Sequence, residues 1–158
     1  MGKLDPLGMT RRGFMGLSGA LLTAAALPKK LWAAALRPEA AFATTTLEAT
    51  FDALGGKPKA SDGILFSTPD IAENGAVVPV RIEIDTSILP DVNKLYVIIE
   101  KNPNPVAAVF QIPPNTRPYA ETRVKVAQTG NLYAVAEAGG ELYMMQRETK
   151  VTLGGCGG

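Results

Sequence analysis

A chain of 158 residues with 16 Lys and Arg against 15 Asp and Glu, no histidine and one cysteine rules out much chemistry before any element is placed. Without histidine there is no Ser-His-Asp or Cys-His nucleophile pair, no imidazole-bound zinc or haem and no imidazole general base, and a lone cysteine makes neither an intramolecular disulfide nor a thiolate metal cluster. No Gly-rich loop joins a strand to a helix, so nucleotide binding has no support; the chain reads as a non-enzyme with no catalytic residues, no cofactor and no metal of its own.

The chain opens with Met9-Thr10-Arg11-Arg12-Gly13-Phe14-Met15, where Arg11, Arg12 and Phe14 form a twin-arginine export pattern. An uncharged stretch rich in Ala, Gly and Leu follows from Gly16 to Leu27 and closes at Lys29-Lys30. A bilayer-spanning helix needs about 20 apolar residues, so this stretch fits a removable signal and not a membrane anchor. Ala33-Ala34-Ala35 and Ala41-Phe42-Ala43 both offer the small-x-small spacing that a signal peptidase reads. We take the cut after Ala43, which makes 1–43 the signal peptide and sends the rest of the chain to the periplasm. That removes six basic and two acidic side chains and leaves ten against thirteen. The basic excess belongs to the signal, and no basic patch remains for nucleic acid or an anionic membrane.

Residues 44–153 fit a single domain. Leu47, Phe51 and Leu54 recur at helical spacing, with Thr45 and Glu48 in the relation of a capping box and Gly55-Gly56 as a stop, so one short helix opens it. The period then changes to two. Val80, Ile82 and Ile84 alternate with Arg81, Glu83 and Asp85, Leu95 to Glu100 is a continuous apolar run suited to a central strand, and Ala108, Phe110 and Ile112 alternate through the next. Thr122, Val124 and Val126 alternate with Glu121, Arg123 and Lys125; further strands read at Leu132–Ala136, at Leu142–Arg147 or beyond, and at Ile64–Phe66, giving about seven. Pro69-Asp70, Asn74-Gly75, Pro90-Asp91, Asn102-Pro103-Asn104-Pro105, Pro113-Pro114-Asn115, Gly130-Asn131 and Gly139-Gly140 supply the turns, the last as a hairpin. Short strands joined in this way predict a mainly β, immunoglobulin-like antiparallel β-sandwich; the Cys…Trp…Cys signature of antibody domains is missing.

The chain ends Lys150-Val151-Thr152-Leu153-Gly154-Gly155-Cys156-Gly157-Gly158, with the single cysteine between two glycine pairs. The apolar pattern stops at Leu153, and four glycines cannot hold Cys156 against a packed surface without a large entropy loss, so 154–158 reads as a swinging arm bearing an exposed thiol. With no neighbouring histidine, that thiol should titrate near the ordinary cysteine value of about 8.5, which suits a carried group more than an autonomous redox catalyst.

This ending, the loop Pro69-Asp70-Ile71-Ala72-Glu73-Asn74-Gly75, the adjacent Val78-Pro79-Val80 and the segment Glu100-Lys101-Asn102-Pro103-Asn104-Pro105 resemble the SoxY family, the sulfur carriers of the bacterial thiosulfate-oxidising Sox system. The resemblance covers the whole chain after the signal. It implies that Cys156 is the point of covalent sulfur attachment and that Gly154, Gly155, Gly157 and Gly158 let the arm enter narrow active sites. It also implies partners: a SoxZ-like subunit in a heterodimer, a haem-containing enzyme that couples thiosulfate to the thiol, a thiohydrolase that releases sulfate, and a sulfane dehydrogenase.

For the partner interface, the sequence offers the helix face of Leu47, Phe51 and Leu54 and the side chains Tyr143 and Met145, taken as exposed, with ordinary core as the plain alternative for both sets. Asp70–Gly75 and Asn102–Pro105 read either as docking loops or as tight turns. Two other classes compete. A ubiquitin-like carrier thiolated at the carboxylate of Gly158 needs cytoplasmic activation, which the export signal opposes. A structural module would dimerise through a Cys156–Cys156 disulfide.

Overall fold

The computed structural model describes residues 37–153; the twin-arginine motif at Arg11, Arg12 and Phe14, and Cys156 with its four flanking glycines, lie outside them. The described elements in order are α1 (Glu39–Phe42), α2 (Leu47–Leu54), β1 (Lys59–Ala60), β2 (Ile64–Ser67), β3 (Ile71–Ala72), β4 (Val78–Ile84), β5 (Val92–Ile99), β6 (Val106–Gln111), β7 (Tyr119–Val124), β8 (Gly130–Ala138) and β9 (Glu141–Val151). All seven expected strands form. The two additional ones, β1 and β3, are dipeptides that pair in parallel with β9, so the sandwich is antiparallel except along that edge.

Two sheets stack, one in the order β1-β9-β8-β5-β6 with β3 also on β9, the other in the order β2-β4-β7. Period-two alternation decides which side chains meet between them. Val78, Val80, Ile82 and Ile84 of β4 point inward and their alternates outward, as the sequence pattern requires. From the larger sheet, Leu95, Val97 and Ile99 of β5 and Leu132, Ala134, Ala136 and Ala138 of β8 enter the same core.

The opposite face of the larger sheet is covered too, which explains the continuous apolar run of β5. Tyr96 and Ile98 of β5 and Tyr133 and Val135 of β8 pack beneath α2, joined by Phe51, Leu47 and Leu54. The Phe51 ring meets Tyr133 edge-on at 5.8 Å between centroids, a favourable arrangement of aromatic quadrupoles. The helix face offered as an interface therefore covers the protein's own sheet. The cap is also shifted by one residue: Thr46, extended at φ −127°, accepts the Ala49 N–H at 3.2 Å, in place of Thr45. Gly55 ends the helix at φ +121°, a conformation that favours glycine.

Asp91 and Asn115 adopt left-handed backbone in their turns, and Gly139 and Gly140 do so between β8 and β9, where Ala138 pairs with Glu141. Beside that hairpin Lys94 reaches Glu137 at 2.9 Å, and the Tyr96 hydroxyl donates to the same carboxylate at 3.0 Å. Burial and then the charge of Glu137 push the Tyr96 phenol far above its ordinary value.

Candidate functional site

The described residues nearest in sequence to Cys156 are the end of β9 and the two that follow it, Thr152 and Leu153. The side chains of β9 alternate: Leu142 and Met144 pack under α2, whereas Tyr143, Met145 and Val151 pack against the core between the sheets. Tyr143 and Met145 are thus half-buried and not the exposed interface side chains that the sequence suggested. Thr149 lies in the same phase and is fully buried.

A polar clamp holds this end of the strand. The Thr149 hydroxyl donates to the Pro69 carbonyl at 3.0 Å and lies 3.1 Å from the hydroxyl of Thr68. The Lys150 N–H donates to the Asp70 carbonyl at 2.9 Å, the Thr152 N–H to Ala72 at 3.1 Å, and the Thr152 hydroxyl to the Glu73 carbonyl at 3.0 Å. The Gly75 N–H then donates to the Leu153 carbonyl at 2.8 Å. From the other side the Thr129 hydroxyl accepts the Val151 N–H at 2.9 Å. The chain is bonded up to Leu153, two residues past the end of β9.

The clamping loop is itself built from its sequence. The Asn74 side-chain oxygen accepts the Ala76 N–H at 2.8 Å, the local bond for which asparagine is favoured in turns, and the Gly75 carbonyl accepts the Val126 N–H at 2.7 Å. Asp70 forms a surface ion pair with Arg147 at 3.6 Å. Asp70–Gly75 thus has a structural duty at the end of β9. The Asn102–Pro105 loop has one as well: the Asn102 side chain binds the Lys125 carbonyl at 2.8 Å and the Ala127 N–H at 2.9 Å, and Asn104 donates to the Thr44 carbonyl at 3.2 Å. Turn and clamp geometry accounts for Asn74 and Gly75 of the first loop and for Asn102 and Asn104 of the second.

The exposed apolar residues Ile71, Val77 and Leu153 belong to this clamp or its borders. Sequence reasoning missed Thr68, Thr129 and Thr149, because a threonine in a strand or a turn reads as surface; only the position of Thr149, two residues before Val151 on a core-facing phase, carried a signal. Among the described residues no group of three His, Cys, Asp or Glu side chains is placed to hold a metal ion, and no helix is long and apolar enough to cross a membrane.

The family model described as sulfur oxidation protein SoxY matches residues 51–156, a span that runs from α2 through the clamped strand to the cysteine. The chain is also similar to the solved structure of the sulfur carrier protein SoxY from Chlorobium limicola f thiosulfatophilum, at 34% identity and a TM-score of 0.60, covering 70% of this chain and 96% of that one. Among curated proteins none matches significantly.

Proposed function

The chain belongs to the SoxY family of sulfur oxidation proteins, and on that footing we propose that it carries sulfur intermediates bound covalently to the thiol of Cys156. The observation that carries this reading is that the family match extends to the only cysteine of the chain, three positions beyond Leu153, whose carbonyl is held by the loop Asp70–Gly75.

The chemistry that follows needs one exposed thiol here and catalysis elsewhere. Oxidative coupling joins the Cys156 sulfur to the sulfane sulfur of thiosulfate, releases the thiol proton and passes two electrons to the haem-containing partner. Hydrolysis of the resulting S-thiosulfonate consumes one water and releases sulfate, which leaves a persulfide on Cys156. The sulfane dehydrogenase oxidises that outer sulfur to a sulfonate, taking its oxygens from three waters and passing six electrons to an external electron acceptor, and a second hydrolysis consumes one more water, releases a second sulfate and frees the thiol. In this scheme the chain supplies attachment, reach and a fixed root. Cys156 lies three positions beyond Leu153, a span of at most about 11 Å, so each enzyme must approach the clamp closely. Small glycines beside the thiol keep the arm slender enough for unlike active sites.

Export to the periplasm by the twin-arginine route, with a SoxZ-like subunit in a heterodimer, belongs to the same proposal. Reconstitution tests it: with the partner enzymes present, Cys156→Ser should abolish thiosulfate-dependent electron release while the domain remains folded. Undiminished electron release from that variant would overturn the carrier assignment.

A further inference from the structure

We propose that the export signal is removed after Ala35 and not after Ala43, so that the exported protein begins at Leu36 and keeps α1 as a strap on the domain. The inference rests on the export reading above. Ala33-Ala34-Ala35 and Ala41-Phe42-Ala43 have the same small-x-small spacing, so sequence alone does not separate them.

The described structure bears on the second of them. A signal peptidase takes its substrate as extended chain and seats the first and third side chains before the cut in small pockets. For a cut after Ala43 these would be Ala43 and Ala41. Ala41 is 0% exposed, and it lies inside α1. The Ala43 N–H closes the helix onto the carbonyls of Glu39 at 3.2 Å and Ala40 at 3.3 Å, with Ala43 itself in helical backbone.

The segment around the site is anchored on both sides. The Thr44 hydroxyl donates to the Ala41 carbonyl at 2.7 Å and lies 2.6 Å from the hydroxyl of Thr50, which is fully buried and donates in turn to the Thr46 carbonyl at 2.8 Å. Asn104 holds the Thr44 carbonyl at 3.2 Å and the Phe42 carbonyl at 3.4 Å. Upstream, Arg37 stacks on the Phe42 ring at 4.3 Å and pairs with Glu39 at 3.2 Å. Extending 41–44 into a peptidase would break these bonds and strip the cover from Thr50. Twin-arginine cargo crosses the membrane folded, so the peptidase meets this packed segment. Ala33–Ala35 precedes Arg37, the first residue of the strap, and a cut there leaves every one of these contacts in place.

Intact-mass measurement with amino-terminal sequencing of the periplasmic protein tests the inference. Leu36 is the expected first residue, eight residues ahead of Thr44. Thr44 as the first residue would overturn the inference and leave export standing, whereas an uncut chain retained in the cytoplasm would overturn both. Paired variants give a second readout: Ala35→Leu should abolish cleavage and Ala43→Leu, at an exposed position, should leave it unchanged. The reverse pattern would place the cut after Ala43.

Discussion

The Gly75 N–H donates to the Leu153 carbonyl at 2.8 Å, so the tip of one loop is bonded to the last residue before the Gly-Gly-Cys-Gly-Gly ending. Asn74 shapes that tip by accepting the Ala76 N–H. Asn74→Ala should release the tip, and we expect amide hydrogen exchange at Gly75 and Thr152 to speed up roughly tenfold, the equivalent of about 1.4 kcal/mol, with global stability little changed. Unaltered exchange at both amides would mean that the clamp does not depend on the turn.

Thr68 and Thr149 share a hydrogen bond inside the sandwich, and Thr149 also serves the Pro69 carbonyl. Thr149→Val keeps the shape but leaves that carbonyl and the Thr68 hydroxyl short of a partner, at a cost of about 1–3 kcal/mol in urea unfolding. Thr68→Val together with Thr149→Val should cost less than the sum of the two single variants, because one shared bond is lost only once. Strict additivity would show that the hydroxyls are energetically independent.

Phe51 is buried against Tyr133 at the centre of the α2 contact. Phe51→Ala should lower stability by about 3–5 kcal/mol, as large-to-small core changes do, and leave the affinity for a SoxZ-like partner unchanged at temperatures where the variant is folded. A variant of full stability with weakened association would return α2 to the interface.

These cases show where sequence stops carrying information. The strands of alternating pattern, the hairpin at Gly139-Gly140 and the turns at Pro90-Asp91 and Pro113-Pro114-Asn115 were legible because each follows from local backbone chemistry. The dipeptides β1 and β3 were not, since two residues have no period and their pairing depends on where β9 lies. The cap fell on Thr46 and not on its neighbour Thr45 because two adjacent threonines look alike until one becomes extended. Tyr143 and Met145 were misplaced because apolar residues interspersed with charge read as surface, while the second sheet that covers them is made by distant segments. Cys156 stood out for the opposite reason: a lone cysteine between glycine pairs is a signal of composition that needs no tertiary contact.

The half-buried pair of Lys94 and Glu137 sets a pH dependence. Burial alone would raise the Glu137 pKa, but hydrogen bonds from Lys94 and Tyr96 outweigh it and hold the carboxyl below its ordinary value of 4.5. A folded-state pKa lower than the unfolded one gives stability that is present above the ordinary value and lost as pH falls through the folded one. Glu137→Gln should therefore cost about 1–2 kcal/mol at neutral pH and flatten the loss of stability below about pH 4.5. Parallel acid curves for the two proteins would contradict this assignment.

Slenderness of the arm gives a kinetic prediction. Gly155→Val adds a β-branched side chain next to the thiol at a position outside the described residues; thermal unfolding should be unchanged while turnover with the partner enzymes falls. Unchanged turnover would remove flexibility and width from the account.

The most direct test of the central claim is intact-mass spectrometry, with a peptide map of the carboxyl terminus, on protein taken from cells oxidising thiosulfate. The account predicts sulfur-bearing adducts on Cys156 that disappear with mild reductant. An unmodified or merely disulfide-dimerised Cys156 in those cells would contradict it and leave a structural module in place of a carrier.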